Sequence, residues 1–166
     1  MIDLLVDTNV LIHILHPTSN AEAGLTRQLL DWDLAGYIRI RVPAVSGREQ
    51  GRSTMQLESE LESLELTPER IVDVAERSDD LLNEISLTLG HRKAGDRYDA
   101  LMVYTALDQI RQGHYTWLVT GDRNILRHAE ILQELRPLLI MSLRGAVNQL
   151  KVDFLLTIVR HERLKD

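Results

Sequence analysis

The sequence predicts an α/β protein with a parallel β-sheet that is covered by helices on both faces. Short apolar runs alternate along the chain with longer segments that show helical periodicity. This alternation is typical of a parallel sheet, because each strand needs a crossover before the next strand can run beside it. No repeat, low-complexity tract or linker rich in proline, glycine or serine divides the 166 residues, so a single domain is expected.

The element boundaries follow from apolar periodicity and from residues that start and stop helices. Asp7 is suited to capping a helix, Pro68 to a first helical turn, and Gly36 to the end of a helix. The segment 37–42 alternates apolar and basic residues, as a strand with one wetter face does. In chain order the predicted strands are 2–6, 37–42, 64–66, 116–119 and 138–141, and the predicted helices are 10–15, 20–35, a short one carrying Glu49, 55–64, 67–89, 96–111, one near 125 and one from 143 onward.

Composition and charge exclude several classes of site. The absence of cysteine excludes disulfides, thiolate zinc sites and cysteine nucleophiles. The net charge of −6 does not favour tight binding of a polyphosphate by global electrostatics, although metal ions can supply positive charge where acids cluster. No apolar run approaches the roughly 18 residues that span a bilayer, and the start lacks a basic signal-peptide region. A cytoplasmic protein without a membrane partner is therefore expected.

Four acids lie at positions where α/β proteins usually carry their functional residues. Asp7 and Asp122 each follow an apolar strand directly, and Glu49 comes a few residues after the second strand. Asp99 shares the apolar stripe of its predicted helix, where a carboxylate must be paired, protonated or bound to a metal. Each acid also has an ordinary explanation: a helix cap for Asp7 and Asp122, an arginine partner for Asp99, and a solvated helix face for Glu49.

The combination is more informative than any single acid. The carboxyl ends of parallel strands share one edge of the sheet, so Asp7, Glu49, Asp99 and Asp122 are expected to lie together. Gathered carboxylates repel one another unless cations neutralise them. Oxygen ligands without cysteine or clustered histidine favour Mg²⁺ or Mn²⁺ over zinc. The sequence therefore predicts a site for one or two such ions.

At these residues the sequence resembles the PIN-domain family, particularly the VapC-type toxin ribonucleases. Residues 5–12 (LVDTNVLI) resemble the family's first motif, 99–106 (DALMVYTA) its third-acid helix, and 118–124 (LVTGDRN) its fourth-acid segment. The order and spacing of the three motifs also match. The resemblance spans roughly residues 1–142, and 143–166 is expected to be a helical extension packed on the same domain. Residues 45–49 (VSGRE) match the second motif only loosely.

The resemblance implies a three-layer α/β/α sandwich with about five parallel strands and metal-dependent cleavage of RNA. It makes Asp7, Glu49, Asp99 and Asp122 the catalytic and metal-binding acids. A metal ion would activate the attacking water and stabilise the leaving oxygen. The residues expected to support the site are Thr8, Asn9, Asp96, Thr120 and Asn124, the last of which stands where family members often carry another acid.

Substrate and partners follow from the same resemblance. An RNA substrate needs basic side chains near the acids, and the candidates near the site segments are Arg48, Arg52, Arg92, Lys93, Arg97, Arg123 and Arg127, which could equally be solubilising arginines. An antitoxin-like protein partner and a homodimer are further expectations. The main alternative is a PIN fold that serves as a non-catalytic binding or regulatory module. A dehalogenase-type phosphatase fits less well, because the second aspartate that it needs is here Asn9.

Overall fold

A computed structural model describes residues 1–17, 21–74, 78–91, 97–135 and 137–165, apart from the side chains of 21, 97 and 135. Five parallel strands form one sheet in the order β3-β2-β1-β4-β5. The strands are β1 (Ile2–Val6), β2 (Ile38–Pro43), β3 (Ile71–Val72), β4 (Thr116–Val119) and β5 (Leu139–Met141). The helices are α1 (Thr8–Leu15), α2 (Ala21–Leu34), α3 (Ala44–Glu49), α4 (Thr54–Glu62), α5 (Asp79–Thr88), α6 (Arg97–Arg111), α7 (Arg123–Leu135) and α8 (Leu143–Arg163), and Pro68–Arg70 form a 3-10 turn.

The helices cover both faces of the sheet, which confirms the predicted fold as a three-layer α/β/α sandwich. Successive side chains of a strand point to opposite faces, and β1 shows this directly. Leu4 and Val6 belong to a core shared with α1, α2, α4 and α8. Leu5 belongs to a second core, which α5, α6 and α7 complete. Strands β1 and β4 are apolar apart from Asp3 and Thr116, as a sheet buried on both faces requires, whereas β2 carries Arg39 and Arg41 on one face.

The predictions for residues 64–89 were wrong in two respects. The third strand is Ile71–Val72 rather than 64–66, and no single helix runs over 67–89. The cause is a buried ion pair: both carboxylate oxygens of Asp33 accept hydrogen bonds from Arg70, and Asp33 Oδ2 also accepts from the backbone N–H of Ile40 at 2.6 Å. These bonds fix the chain beside β2, so Val42 pairs with Ile71 as the sheet's edge.

Helical spacing in the sequence places Thr105, Asp108, Arg111 and Gln112 on the polar face of α6, and this prediction is partly wrong. Thr105 and Asp108 are buried, because α6 lies between the sheet and α5. The Thr105 hydroxyl donates to the Leu101 carbonyl, and Asp108 accepts hydrogen bonds from Arg111 and Gln112 of the same helix. Helix α6 is thus buried along more of its surface than its apolar stripe indicated, and its polar groups are paired locally.

Helix α8 has two different halves. Its first half contributes to the core through Leu143, Ala146, Val147 and Leu150. Phe154 then packs on two aromatic rings, with centroids 5.2 Å from Trp32 and 5.4 Å from Tyr37. From residue 155 to 165 every residue is exposed. The sequence pattern groups Leu155 and Ile158 with Val147, Leu150 and Phe154 as one apolar stripe, but in the structure Leu155 and Ile158 are on the surface.

Candidate functional site

The ends of β1 and β4 create one polar position at the centre of the sheet. The two strands are neighbours, and their last residues, Val6 and Val119, pair with each other. The next residues, Asp7 and Thr120, therefore lie side by side at the carboxyl edge of the sheet. The backbone N–H of Asp7 donates to the Val119 carbonyl at 2.9 Å. From β1 the sheet continues to β2 and β3 on one side, and from β4 to β5 on the other. Ligands of open α/β sheets bind at such a switch point, outside the carboxyl ends of the strands.

Asp7 is buried at this position and accepts hydrogen bonds on both carboxylate oxygens. Oδ1 accepts the backbone N–H of Asn9 at 3.1 Å, which caps α1, and Oδ2 accepts the hydroxyl of Thr120. Burial raises the pKa of Asp7, these hydrogen bonds lower it, and the charges of Asp122 and Glu49 raise it further. Asp7 is therefore both a helix cap, as its position allowed, and a member of an acidic cluster.

Asp122 is held by the loop that leaves β4. Its backbone N–H donates to the Thr120 hydroxyl oxygen at 3.0 Å, and its Oδ1 accepts from the N–H of Ile125 at 2.9 Å. The second bond caps the first turn of α7, which satisfies an N–H that has no partner within the helix. Thr120 is buried and links the two acids, because its hydroxyl donates to Asp7 and accepts from Asp122.

Glu49 reaches the site from the last residue of α3. Its Oε2 accepts a hydrogen bond from the hydroxyl of Thr8, a buried residue in the first turn of α1. Sequence reasoning gave Glu49 the weakest support of the four acids, since charged neighbours suggested a solvated helix face. The residue is exposed, yet its charge contributes to the raised pKa of both Asp7 and Asp99.

Asp99 stands in the first turn of α6, with 30% of its side chain exposed. Burial is the main cause that raises its pKa to about 6, and the charges of Asp122, Asp7 and Glu49 add to it, while His91 lowers it. The His91 Nε2 lies 3.7 Å from Asp99 Oδ2. Sequence reasoning missed His91, because no ligand spacing marks it.

These four acids act on one another electrostatically, although they come from four separate segments of the chain. The cluster offers only carboxylate oxygens, a donor set that fits Mg²⁺ or Mn²⁺ in its chemistry. Within the described ranges, no three Asp, Glu or His side chains converge closely enough to hold a metal ion. Threonine hydroxyls instead engage Asp7 and Glu49.

The supporting residues divide into three groups. Thr8 and Thr120 contact the acids directly, and Asn9 contributes its backbone N–H. Asn124 faces another way, because its side-chain N–H donates to the Leu89 carbonyl at 2.9 Å and ties α7 to the end of α5. Asp96 lies outside the described residues, as do Arg92, Lys93 and the side chain of Arg97.

The remaining predicted RNA contacts are partly engaged by acids of the protein. Arg48 Nη2 lies 3.5 Å from Asp73 Oδ1, and Arg52 Nη1 lies 2.6 Å from Glu60 Oε2. Arg123, in the first turn of α7, is exposed directly after Asp122. Arg127, also on α7, is exposed as well, and within the described part of the chain neither Arg123 nor Arg127 forms an ion pair with an acid.

A groove of about 470 Å³ adjoins the acids on the side of α1 and α8. Asn9, Thr120 and Gly121 join the groove to the site, and Arg144, in the first turn of α8, also lines it. The sequence gave no signal for Arg144, because only the packing of α8 brings it near. The lining of the groove is completed by Val10, His13, Glu22, Leu25, Ser142 and Leu143.

Comparisons with protein families, with curated proteins and with solved structures found no match to this chain. Its function is therefore argued from the site itself, since one fold supports many activities. In the part of the chain that the structure describes, no helix combines the length and the apolar character that crossing a bilayer takes.

Proposed function

We propose that this protein is a metal-dependent endoribonuclease of the PIN class. One observation carries the proposal: Asp7, Glu49, Asp99 and Asp122 come from four segments to one edge of the sheet, where burial chiefly, and the charges of the other acids in addition, raise the pKa values of Asp7 and Asp99. A protein gains no stability from gathering like charges, so such clusters are typical of functional sites. The location outside the carboxyl ends of adjacent strands supports the same conclusion.

Asp7 and Asp99 are the proposed principal ligands, with Glu49 or Asp122 assisting. A bound Mg²⁺ or Mn²⁺ would supply a nucleophile at neutral pH and charge stabilisation for the leaving oxygen. Thr120 holds the Asp7 carboxylate in a fixed orientation, and Thr8 does the same for Glu49. Residues that orient ligands in this way commonly change metal affinity or activity 10–100-fold when they are removed.

The RNA strand is proposed to enter along the groove next to Asn9 and Gly121. Arg144, which lines the groove, and the exposed Arg123, which follows Asp122, would contact phosphates. Such local contacts matter because the chain carries a net charge of −6 and repels a polyanion at long range. The proposal extends to a cytoplasmic location and to the toxin role of a toxin–antitoxin pair.

A second candidate function is a binding or regulatory module without catalysis. The hydroxyls of Thr8 and Thr120 already satisfy oxygens of Glu49 and Asp7, and Asn124 is committed to the Leu89 carbonyl. These bonds favour a site that is stable without an ion. The two functions differ in expected metal affinity, because a non-catalytic module has no need to bind Mg²⁺ or Mn²⁺ at this edge of the sheet.

The test compares the wild-type protein with Asp7→Asn and with Asp31→Asn, a matched change of an exposed acid on α2. Labelled single-stranded and structured RNAs and single-stranded DNA are incubated with Mn²⁺, Mg²⁺ or EDTA, and Mn²⁺ binding is measured by calorimetry. We expect RNA cleavage that requires metal, disappears in Asp7→Asn and persists in Asp31→Asn. Absence of both cleavage and Mn²⁺ binding in the wild type would support the non-catalytic module instead.

A further inference from the structure

Apart from Phe154, the second half of α8 is an apolar helical arm that the described part of the chain leaves uncovered. We define the arm as residues 152–164. Its large apolar residues are exposed at Val152 (50%), Leu155 (62%), Leu156 (51%), Ile158 (54%), Val159 (43%) and Leu164 (83%). Scattered apolar residues on a surface are ordinary, but a contiguous set on one helix marks an interaction surface.

The arm points away from the acidic site. Helix α8 begins directly after β5, at the carboxyl edge of the sheet where the acids lie. Its Phe154 reaches Tyr37, the residue that precedes β2 at the opposite, amino edge. The arm therefore continues past the amino edge, and a partner bound to it leaves the acids and the adjoining groove open.

The exposed stripe of the arm is symmetrical in sequence. Val152, Leu155, Leu156 and Val159 follow the spacing i, i+3, i+4 and i+7, which places them on one face of the helix. This face lies opposite the one that Val147, Leu150 and Phe154 bury. Read from either end, the stripe has the same order of valine, leucine, leucine and valine.

We propose that the arm pairs with the arm of a second copy of this chain in an antiparallel, two-fold symmetric contact. In such a contact the same surface serves both copies, so it must complement itself. With the two-fold axis between Leu155 and Leu156, Val152 packs against the partner's Val159 and Leu155 against the partner's Leu156. The palindromic stripe meets this requirement, because each of its apolar residues faces an apolar residue of the partner.

Charges beside the stripe are complementary in the same arrangement. Helical spacing places Asp153 and Arg160 on one side of the stripe and Lys151 and Glu162 on the other. Antiparallel pairing brings Asp153 near the partner's Arg160 and Lys151 near the partner's Glu162. Two-fold symmetry repeats each ion pair, so four opposite-charge contacts border the apolar centre. Such rim contacts set orientation more than affinity.

The apolar area that the stripe contributes is modest. The exposed fractions of its four residues correspond to on the order of 350 Å² per chain, so pairing covers about 700 Å² of apolar surface, to which the bordering charged side chains add. An interface of this size is typical of a reversible dimer whose population rises with protein concentration. The inference is independent of the proposed function, because the arm shares no residue with the acidic cluster.

The first experiment measures mass in solution by sedimentation or light scattering over a range of concentrations. The wild-type chain is expected to be dimeric, and Leu155→Glu/Leu156→Glu to be monomeric, with dissociation favoured at least about 100-fold by placing four carboxylates in the apolar centre. Leu87→Glu, which adds a charge at another exposed leucine, is the matched control and stays dimeric. A wild type that is monomeric at all concentrations, or a double variant that stays dimeric, overturns the proposal.

A second experiment tests the direction of pairing and uses the absence of cysteine from the chain. Val152→Cys and Val159→Cys chains are mixed and oxidised, and the expected product is the disulfide between the two different variants. Each variant alone should not cross-link with itself, because the antiparallel arrangement separates its two copies by roughly 10 Å along the axis. Self-cross-linking of Val152→Cys without the mixed product would indicate a parallel pair and overturn the proposed geometry. Binding to anionic lipid vesicles by the wild type together with a monomeric mass in solution would assign the arm to a membrane surface instead.

Discussion

The hydroxyl of Thr120 donates a hydrogen bond to the Oδ2 atom of Asp7, which joins the ends of two adjacent parallel strands by their side chains. The same oxygen of Thr120 accepts the backbone N–H of Asp122. One small buried residue thus determines the positions of two acids. The relationship could not be predicted from either motif alone, because the residues are 113 positions apart in sequence.

Thr120→Val should reduce metal-dependent RNA cleavage by about 10–100-fold, because it removes a group that orients a proposed ligand while it keeps the side-chain shape. Thr120→Ser keeps the hydroxyl and should retain most of the activity. The measurement is the initial rate of cleavage with saturating Mn²⁺. Thr88→Val removes a hydroxyl that bonds only to the Glu84 carbonyl and serves as the control. Equal rates for Thr120→Val and the wild type would contradict the assigned role.

Asp99→Asn should stabilise the metal-free protein at pH 7.5. The folded-state pKa of Asp99, about 6, lies above the ordinary value of 3.8, so the folded state binds the proton more tightly. The protonated Asp99 side chain therefore stabilises the folded state fully below about pH 4, and this stabilisation is lost as the pH rises through 6. The amide carries no charge, so the gain at pH 7.5 should be on the order of 1–3 kcal/mol.

Thermal unfolding in EDTA at pH 4 and at pH 7.5 measures this difference. The variant and the wild type should unfold at similar temperatures at pH 4 and diverge at pH 7.5, with the variant more stable. A variant less stable than the wild type at pH 7.5 would show that the Asp99 carboxylate makes a favourable contact that outweighs its desolvation.

Asp33→Ala should destabilise the fold by about 3–5 kcal/mol, because it leaves Arg70 without its partner and the Ile40 N–H without its acceptor. Denaturant unfolding gives the free-energy difference. The surface pair of Arg48 and Asp73 provides the comparison, since Asp73→Ala should cost less than about 1 kcal/mol. Similar losses in the two variants would mean that burial of the Asp33 pair has little energetic consequence.

The two halves of α8 should respond differently to truncation. Leu150→Ala removes a fully buried side chain and should cost about 2–5 kcal/mol. Leu155→Ala changes a side chain that is mostly exposed and should alter the unfolding free energy of the dilute protein by less than about 0.5 kcal/mol. Chemical denaturation at low protein concentration compares them. A large loss in Leu155→Ala under those conditions would place Leu155 in the core.

The parallel sheet and the carboxyl-edge positions of Asp7 and Asp122 could be predicted from sequence, because both depend on local order: an apolar run, then an acid. The third strand could not be predicted from sequence. Ile71–Val72 is too short to show any periodicity, and its position depends on the ion pair between Asp33 and Arg70, which are 37 residues apart. A helix-start pattern at Pro68 was correct locally but produced only a 3-10 turn.

Within the site, sequence reasoning found the acids but missed two neighbours. His91 reaches Asp99 only because the end of α5 packs beside the start of α6, and Arg144 reaches the groove only through the direction of α8. The burial of Asp108 was missed for a related reason: α6 is covered on a side that its own sequence marks as polar. Contacts between elements determine all three, and a single sequence does not display them.

Asp7 and Asp122 each hold the first turn of a helix as well as facing the cluster. Removing either side chain altogether would fray α1 or α7 and move the neighbouring acids with it. An asparagine in the same place keeps the capping oxygen and loses only the charge. A loss of activity in an alanine variant could therefore come from a frayed helix or from the missing carboxylate. The asparagine variants keep the helix cap, so a loss of activity in them reports the missing charge alone.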